Sequence, residues 1–302
     1  MTGVSSGAQV AGVEISKPDK VLFPSGEGRE VTKLDLARYY ESVAEVMLPH
    51  LADRPVNMQR FPDGIEGPSF YEKKVPGHFP EFVRTVEVAT SEGRQRQVVV
   101  HDDRSLVYLA QMACITPHTW LCRADDLDRP DQLVFDLDPS VHGLPAVRRA
   151  TRLVGELLDD LGLESVLKTT GSRGYHVLVP LRRTSGFDDV RAFARAAAQV
   201  LVDREPGRLT LEARKAKRGD RVLIDVQRNG YGQTVVPPYA VRARPGAPVS
   251  MPITWEELSR VEPAHHTVRT VARRLARGGD RWAALPRAQS LGRARERLTR
   301  LA

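Results

Sequence analysis

The sequence predicts an α/β (α+β) fold with a mixed central sheet flanked by helices. Short apolar runs of strand length alternate with amphipathic helical runs through the middle of the chain, Gly- and Pro-rich turns separate them, and no internal repeat interrupts the pattern. The 302 residues suffice for one large core or two ordinary domains. A composition of 41% hydrophobic and 27% charged residues excludes a disordered, collagenous or disulfide-stapled chain.

The first dozen residues are small and polar, and the reading leaves them as a flexible terminus. Thr32 then precedes KLDLARYYESVAEVML, where Leu34, Ala37, Tyr40, Ala44 and Met47 share one face. This predicts a helix capped near Thr32 and stopped by Pro49. RPVNMQRF (54–61) alternates as a strand before the turn PDGIEGP, QVVVH (97–101) is a second short strand, and helical character returns over 105–114. LVFDLDP (133–139) reads as a strand ended by proline, and LPAVRRATRLVGELLDDLG as a helix ended by Gly162. SVLK and YHVLVPL are strands around the turn TGSRG, followed by a helix over 187–202 and a strand over 221–227. PPYAVRARPGAPVS is too rich in Pro and Gly for either element. Helices are predicted over 255–261, 263–277 and 289–301, the last with Leu291, Ala294, Leu298 and Leu301 as a narrow apolar stripe. The expected division is a flexible 1–12, a folded domain over 13–286 and an Arg-rich helix over 287–302.

Cys114 and Cys122 lack zinc-ligand spacing and read as core thiols in a reducing cytosol. No apolar run reaches the ~20 residues of a membrane span, and the start of the chain has no signal-peptide pattern. A cytoplasmic protein with no membrane partner is expected. The formal charge of +7 is uneven: residues 264–302 hold ten arginines and two acids, a net +8, which leaves the remainder at −1. Basicity therefore marks the tail, and any nucleic-acid role for the body rests on particular residues.

The sharpest local pattern is Phe135-Asp136-Leu137-Asp138-Pro139. Residues i and i+2 of a strand face the same side about 7 Å apart, so both carboxylates leave together while Phe135 and Leu137 enter the core. Such a pair suits Mg²⁺ or Mn²⁺, or equally a cap for the following loop. Asp225, between apolar residues in VLIDVQ, adds a third strand-borne acid whose alternative is an ion pair with Arg221 or Arg228. Three such acids at one sheet edge make a two-metal phosphoryl or nucleotidyl transfer site. Between two strands, Thr170-Gly171-Ser172-Arg173-Gly174 offers hydroxyls, backbone N–H groups and a guanidinium to an anion. It is not a Walker A loop, since GxxxxGK[ST] is absent. His176 opens the next strand, as a phosphate donor or as a bonded core histidine.

Taken together these blocks resemble the bacterial primase-polymerases of the archaeo-eukaryotic primase superfamily, and within it the polymerase domain of end-joining DNA ligase D in stand-alone form. KPDKVLFP, TKLDLARYY, RPVNMQRFPDGIEGPSFYEK, HTW, PDQLVFDLDP, TTGSRGYHVLVPL, LIDVQRNGYGQTVVPPYAVRARPGAPVS and ITWEEL carry the match in order, to about residue 279.

The resemblance implies a primase-like fold in which Asp136, Asp138 and Asp225 hold two divalent ions, Mn²⁺ or Mg²⁺. Arg60, His118, Thr170, Ser172, Arg173, His176, Arg228 and Arg242 would serve the incoming nucleotide. Arg173 stands where the family usually has Lys and Thr170 where it often has Ser, while Gln59 stands where some relatives carry a second base. Lys20 and Lys33 match lysines that hold a 5′-phosphate, and Phe70 and Tyr71 match aromatics used against template bases. The implied activity is gap filling or end extension on DNA with NTP or dNTP, with ribonucleotides preferred. The implied setting is a nucleoid-associated monomer working with Ku and a separate DNA ligase. A sugar-nucleotide glycosyltransferase using the Asp136–Asp138 motif, or a non-catalytic DNA-end adaptor, are the alternatives.

Overall fold

The computed structural model describes residues 8–25, 29–91, 93–140 and 143–301, and the chain divides into two compact units. One comprises 120–235, 251–265 and 280–302; the other comprises the chain up to 119, 236–250 and 266–279. Among the described residues no helix is long and apolar enough to cross a membrane.

The first of these units is built on a sheet with strand order Leu209–Thr210, Val222–Asp225, Gln132–Asp138, Tyr175–Pro180, Val166–Thr169 and Pro252–Ile253. The pair Leu209–Thr210 and Val222–Asp225 is parallel and the other pairs are antiparallel, which makes the sheet mixed as the alternation predicts. Alternate residues Leu133, Phe135 and Leu137, with Tyr175, Val177, Val179 and Ile224, join a core completed by helices Leu144–Asp160, Phe187–Arg204 and Gly292–Thr299. The strand period of two therefore sends the intervening Asp136, Asp138 and His176 away from that core. Gly155 sits inside its helix because the Trp255 ring lies against it: a Cβ there would come within 2.5 Å of the indole.

In the other unit, strands Cys114–Trp120, Pro55–Arg60, Gly93–Val99 and Arg84–Thr90 lie side by side, and Phe70–Glu72 pairs with Pro55–Arg60. Helix Lys33–Leu51 starts where Thr32 accepts from Asp35 N and Asp35 returns the bond to the Thr32 backbone, a reciprocal cap. The irregular segment 237–250 is held by side chains that satisfy its backbone: Tyr39 Oη donates to Tyr239 O at 2.8 Å and Thr116 Oγ1 to Val241 O at 2.6 Å.

Several boundaries differ from the sequence reading. Residues 8–12 are not frayed: Ala8–Val10 pairs with Val13–Ile15, with Val10 and Ile15 buried, while residues 1–7 lie outside the described residues. Pro49 does not stop its helix, which runs to Leu51, because a proline in the last turn forfeits one backbone bond and Ala52 N still reaches Leu48 O. The helix read over 105–114 is Asp103–Gln111. Ala113 turns at φ +54° and a strand follows. The helix read over 263–277 shrinks to Val271–Gly278, since His266 O and Val268 N are bonded to Val249 and Ala247 instead. Residues 255–261 hold only a 3₁₀ turn, Glu256–Ser259. The C-terminal helix is Gly292–Thr299. Leu291, Ala294 and Leu298 pack into the core as the stripe requires, whereas Leu301 is exposed.

Candidate active site

The three carboxylates stand together through strand register. Four adjacent strands place Lys168, His176, Asp136 and Asp225 in one row: Lys168 faces His176, His176 faces Asp136, and Asp136 faces Asp225. Register partners in antiparallel strands project to the same face, so this row lies opposite the apolar core, with Asp138 two residues further along on the same side. His176 Nε2 is 3.2 Å from Asp136 Oδ1, and both residues are buried.

Burial and mutual repulsion set the electrostatics of this row. Burial pushes the Asp136 carboxyl up, but His176, Arg228 and Lys168 together outweigh it and hold it below the ordinary carboxylate range. At Asp138 the balance goes the other way. Burial, then Asp136 and Asp225, raise it to about 6, against the pull of Arg173 and Arg228. Asp225 is raised by burial, with Arg228 opposing and Asp136 adding to the rise.

Of the two ion pairs offered as alternatives for Asp225, Arg228 is present and Arg221 is not. Arg228 Nε lies 3.4 Å from Asp225 Oδ2 and 3.8 Å from Asp136 Oδ2, while Arg221 donates to the carbonyls of Arg218 and Lys217. A cation thus already lies between Asp136 and Asp225, and two in-register carboxylates with a third on the same face are hard oxygen donors of the kind Mg²⁺ and Mn²⁺ take. The donor set fits a divalent ion in chemistry. In its present side-chain arrangement, no group of three or more His, Cys, Asp or Glu among the described residues is gathered closely enough to hold one.

The Gly-rich turn approaches the end of the Asp136–Asp138 strand. A Cβ on Gly174 would lie 1.9 Å from Leu137 O, so only glycine lets the turn come this near, and Arg173 beside it acts on Asp138. The Thr170 hydroxyl donates to Gly174 O at 3.0 Å and accepts from Ser172 N and Gly174 N at 3.2 Å, which closes the turn, with Arg173 exposed and Ser172 half-buried within it.

The remaining expected residues belong to the other unit. His118 pairs in register with Asn57, its Nε2 lies 3.2 Å from Gln59 Oε1, and its ring meets the Tyr71 ring edge-on at 5.3 Å. Phe70 and Tyr71 are both exposed, on a strand register that sets Phe70 opposite Arg60 and Tyr71 opposite Gln59. Arg60 is engaged by Glu72 Oε2 at 2.7 Å and Met112 O at 2.7 Å, with its guanidinium over Phe70. Arg242 is half-buried in the segment 237–250, its N–H bonded to Pro248 O.

Lys20 and Lys33 are joined through the backbone, Lys33 N donating to Lys20 O at 2.8 Å. Lys20 Nζ pairs with Asp63 at 2.8 Å, and Lys33 Nζ donates to Ser16 O at 2.9 Å. Burial, then the nearby Lys20, Lys17 and Arg60, lower the Lys33 ammonium to about 8. Asn229, beside Arg228, is a residue whose part only the fold reveals: it is buried, accepts from Val134 N at 2.8 Å and donates to Val134 O at 2.7 Å.

A mixed sheet that sets Asp136 and Asp225 in one polar row, with Asp138 beside them and an Arg-bearing glycine turn at the strand end, has the kind of acid and anion-binding groups that nucleotidyl transfer uses. A family model described as LigD, primase-polymerase domain, matches residues 32–282. The chain belongs to that family. It is 38% identical over 289 residues to the multifunctional non-homologous end joining protein LigD of Pseudomonas aeruginosa, covering 92% of this chain and 33% of that one. It is 32% identical over 272 residues to the corresponding protein of Mycolicibacterium smegmatis, covering 89% and 35%. The chain thus spans about a third of the length of these curated relatives. A solved structure, the polymerase domain from Mycobacterium tuberculosis ligase D in complex with DNA, superposes with a TM-score of 0.84 at 31% identity, covering 90% of this chain and 97% of that one. The primase-like fold expected from sequence is therefore the observed one, and the family sets aside the sugar-transfer alternative.

Proposed function

We propose that the chain extends a primer 3′ end against a DNA template, filling short gaps or lengthening broken ends in non-homologous end joining. The observation that carries this is the in-register pair Asp136 and Asp225, with Asp138 beside them, in a chain whose family and solved neighbour are polymerase domains. Asp136, Asp138 and Asp225 would hold the divalent ions, Mn²⁺ in the first instance. When bound, such ions neutralise the triphosphate and assist the primer hydroxyl in its in-line attack on the α-phosphate as pyrophosphate leaves.

The chain's own residues supply the rest. Arg173, Ser172, His176 and Arg228 present donors and positive charge to the triphosphate, and the family resemblance adds His118, Arg60 and Arg242 as nucleotide contacts. Phe70 and Tyr71, exposed on one short strand, stack on template bases; Lys20 and Lys33 hold a 5′-phosphate on the far side of a gap. Ribonucleotide preference, Ku and a separate ligase as partners, a monomeric state and a place at the nucleoid belong to the same reading.

The test is primer extension on a gapped duplex bearing a 5′-phosphate, with Mn²⁺ and either NTP or dNTP. Metal-dependent extension that disappears in Asp136→Ala with Asp138→Ala supports the reading, and undiminished extension by that variant sinks it. Intact end binding without extension by the wild type would support the adaptor alternative instead.

A further inference from the structure

The geometry points to Arg228 as a built-in counter-ion that keeps the divalent cation's place between Asp136 and Asp225 and must swing out for the ion to bind. The inference rests on the metal reading of the site given above. Three acids on one side of a sheet repel one another unless a cation stands among them, and in this structure that cation is the Arg228 guanidinium. Its contacts are loose. At 3.4 and 3.8 Å from the two carboxylates, Nε falls short of the 2.7–2.9 Å of a strong charge-assisted pair, and one nitrogen serves both acids without a bidentate fork.

The side chain can leave while the backbone stays. Arg228 is half exposed, with 40% of its side chain in solvent. Its neighbour Asn229 is fully buried and ties the 3₁₀ turn Gln227–Asn229 to the Asp136 strand through Val134 N and Val134 O, with a further bond to Val226 O at 3.0 Å. Asp225 Oδ1 braces the same turn by accepting from Gln227 N at 2.8 Å. The turn is thus a fixed pivot, and the motion required is one of side-chain torsions.

A displaced guanidinium next to a newly bound dication finds its natural acceptor in a polyanion, the triphosphate of the incoming nucleotide. Arg228 then couples the two ligands: ion binding releases it to the phosphates, and phosphates that capture it clear the carboxylates for the ion. By linkage each ligand tightens the other by the same factor.

The test uses the full chain and Mn²⁺ alone, with free Mn²⁺ read by its electron paramagnetic resonance signal, then repeated with a non-hydrolysable α,β-methylene nucleoside triphosphate present. Arg228→Gln is expected to bind Mn²⁺ without nucleotide about tenfold more tightly than wild type, since a positive charge within 4 Å of both ligands is removed. It should also lose most of the tightening that nucleotide confers on the wild type. Arg228→Lys, which keeps a cation, should stay near the wild-type affinity, so damage to the fold is separated from loss of charge. Unchanged or weaker Mn²⁺ binding by a folded Arg228→Gln overturns the counter-ion role. If Asp136→Asn binds Mn²⁺ as wild type does, the metal reading itself falls and takes this inference with it. Loss of the ion in Asp136→Asn without tightening in Arg228→Gln removes the counter-ion role alone.

Discussion

Asp136 faces Asp225 directly across two adjacent antiparallel strands, an arrangement that places two carboxylates of one site in the same cross-strand row. Arg228 stands between those two, and His176 and Lys168 also favour the charged form of Asp136, so the repulsion left over falls on Asp138, where the site is expected to cost stability in metal-free protein.

Asp138 gives that cost a pH signature. Its folded-state pKa of about 6 lies above the ordinary aspartate value of 3.8, so the fold binds its proton more tightly than the unfolded chain does. The stability tied to this group is full below about pH 4 and is lost as pH rises through 6. Asp138→Asn, measured by thermal denaturation in EDTA, should melt a few degrees above wild type at pH 7 and close to it at pH 4. A difference that does not grow between those two pH values counts against the burial and repulsion described, and the variant should be inactive throughout.

Gly174 tests the approach of the turn to the strand end. Its added Cβ would meet the backbone oxygen of Leu137 at 1.9 Å, an atom that cannot step aside without moving the Asp136–Asp138 strand. Gly174→Ala should lower the unfolding free energy by about 2 kcal/mol or more in urea denaturation. Gly207→Ala, where nothing lies within 4 Å, serves as the neutral control. Equal effects at the two positions would remove the packing explanation.

Tyr71 separates stacking from folding. It is 52% exposed, so Tyr71→Ala should leave the melting temperature unchanged. Binding of template-primer DNA, followed by fluorescence anisotropy, should weaken by roughly 1–3 kcal/mol, the value of one lost base stack. A variant that melts lower yet binds as before would assign Tyr71 to structure.

Lys33 carries the second pH prediction. A lysine lowered to about 8 in the fold from its ordinary 10.5 is charged at pH 7 and largely neutral at pH 9. The preference for 5′-phosphorylated over 5′-hydroxyl gapped duplex should therefore shrink as pH rises through 8, because the phosphate remains a dianion while its ammonium partner loses charge. Lys33→Gln should reduce both the preference and its pH dependence; a preference that is flat from pH 7 to 9 in wild type rules out Lys33 as the contact.

Much of this was legible along the chain. The alternation in Leu133–Asp138 identified a strand with its acids on one face, and Thr32 marked a helix start, because both patterns are local consequences of side-chain direction and capping. The long hairpin Arg84–Thr90 with Gly93–Val99 was read only at its end, although Val86 and Val88 alternate with polar residues before the turn. The apolar stripe predicted for the Arg-rich tail is buried as its spacing requires: Leu291, Ala294 and Leu298 lie in the core, and Arg295 and Arg297 donate to the carbonyls of Asp189 and Asp160.

The sequence by itself determined which residues carry charge, which strands present them, and that Asp136 and Asp138 share a face, since a period of two is a property of one strand. Only the tertiary structure decided their partners. Asp225 lies far along the chain from Asp136, and strand register alone makes them neighbours; the same register inserts His176 on the other side and brings Lys168 into the row. Register is set by burying every apolar face at once, a condition satisfied by the whole sheet and its helices and by no single segment. For the same reason a residue such as Asn229, unremarkable in VQRN, becomes the pin of the turn that carries Arg228.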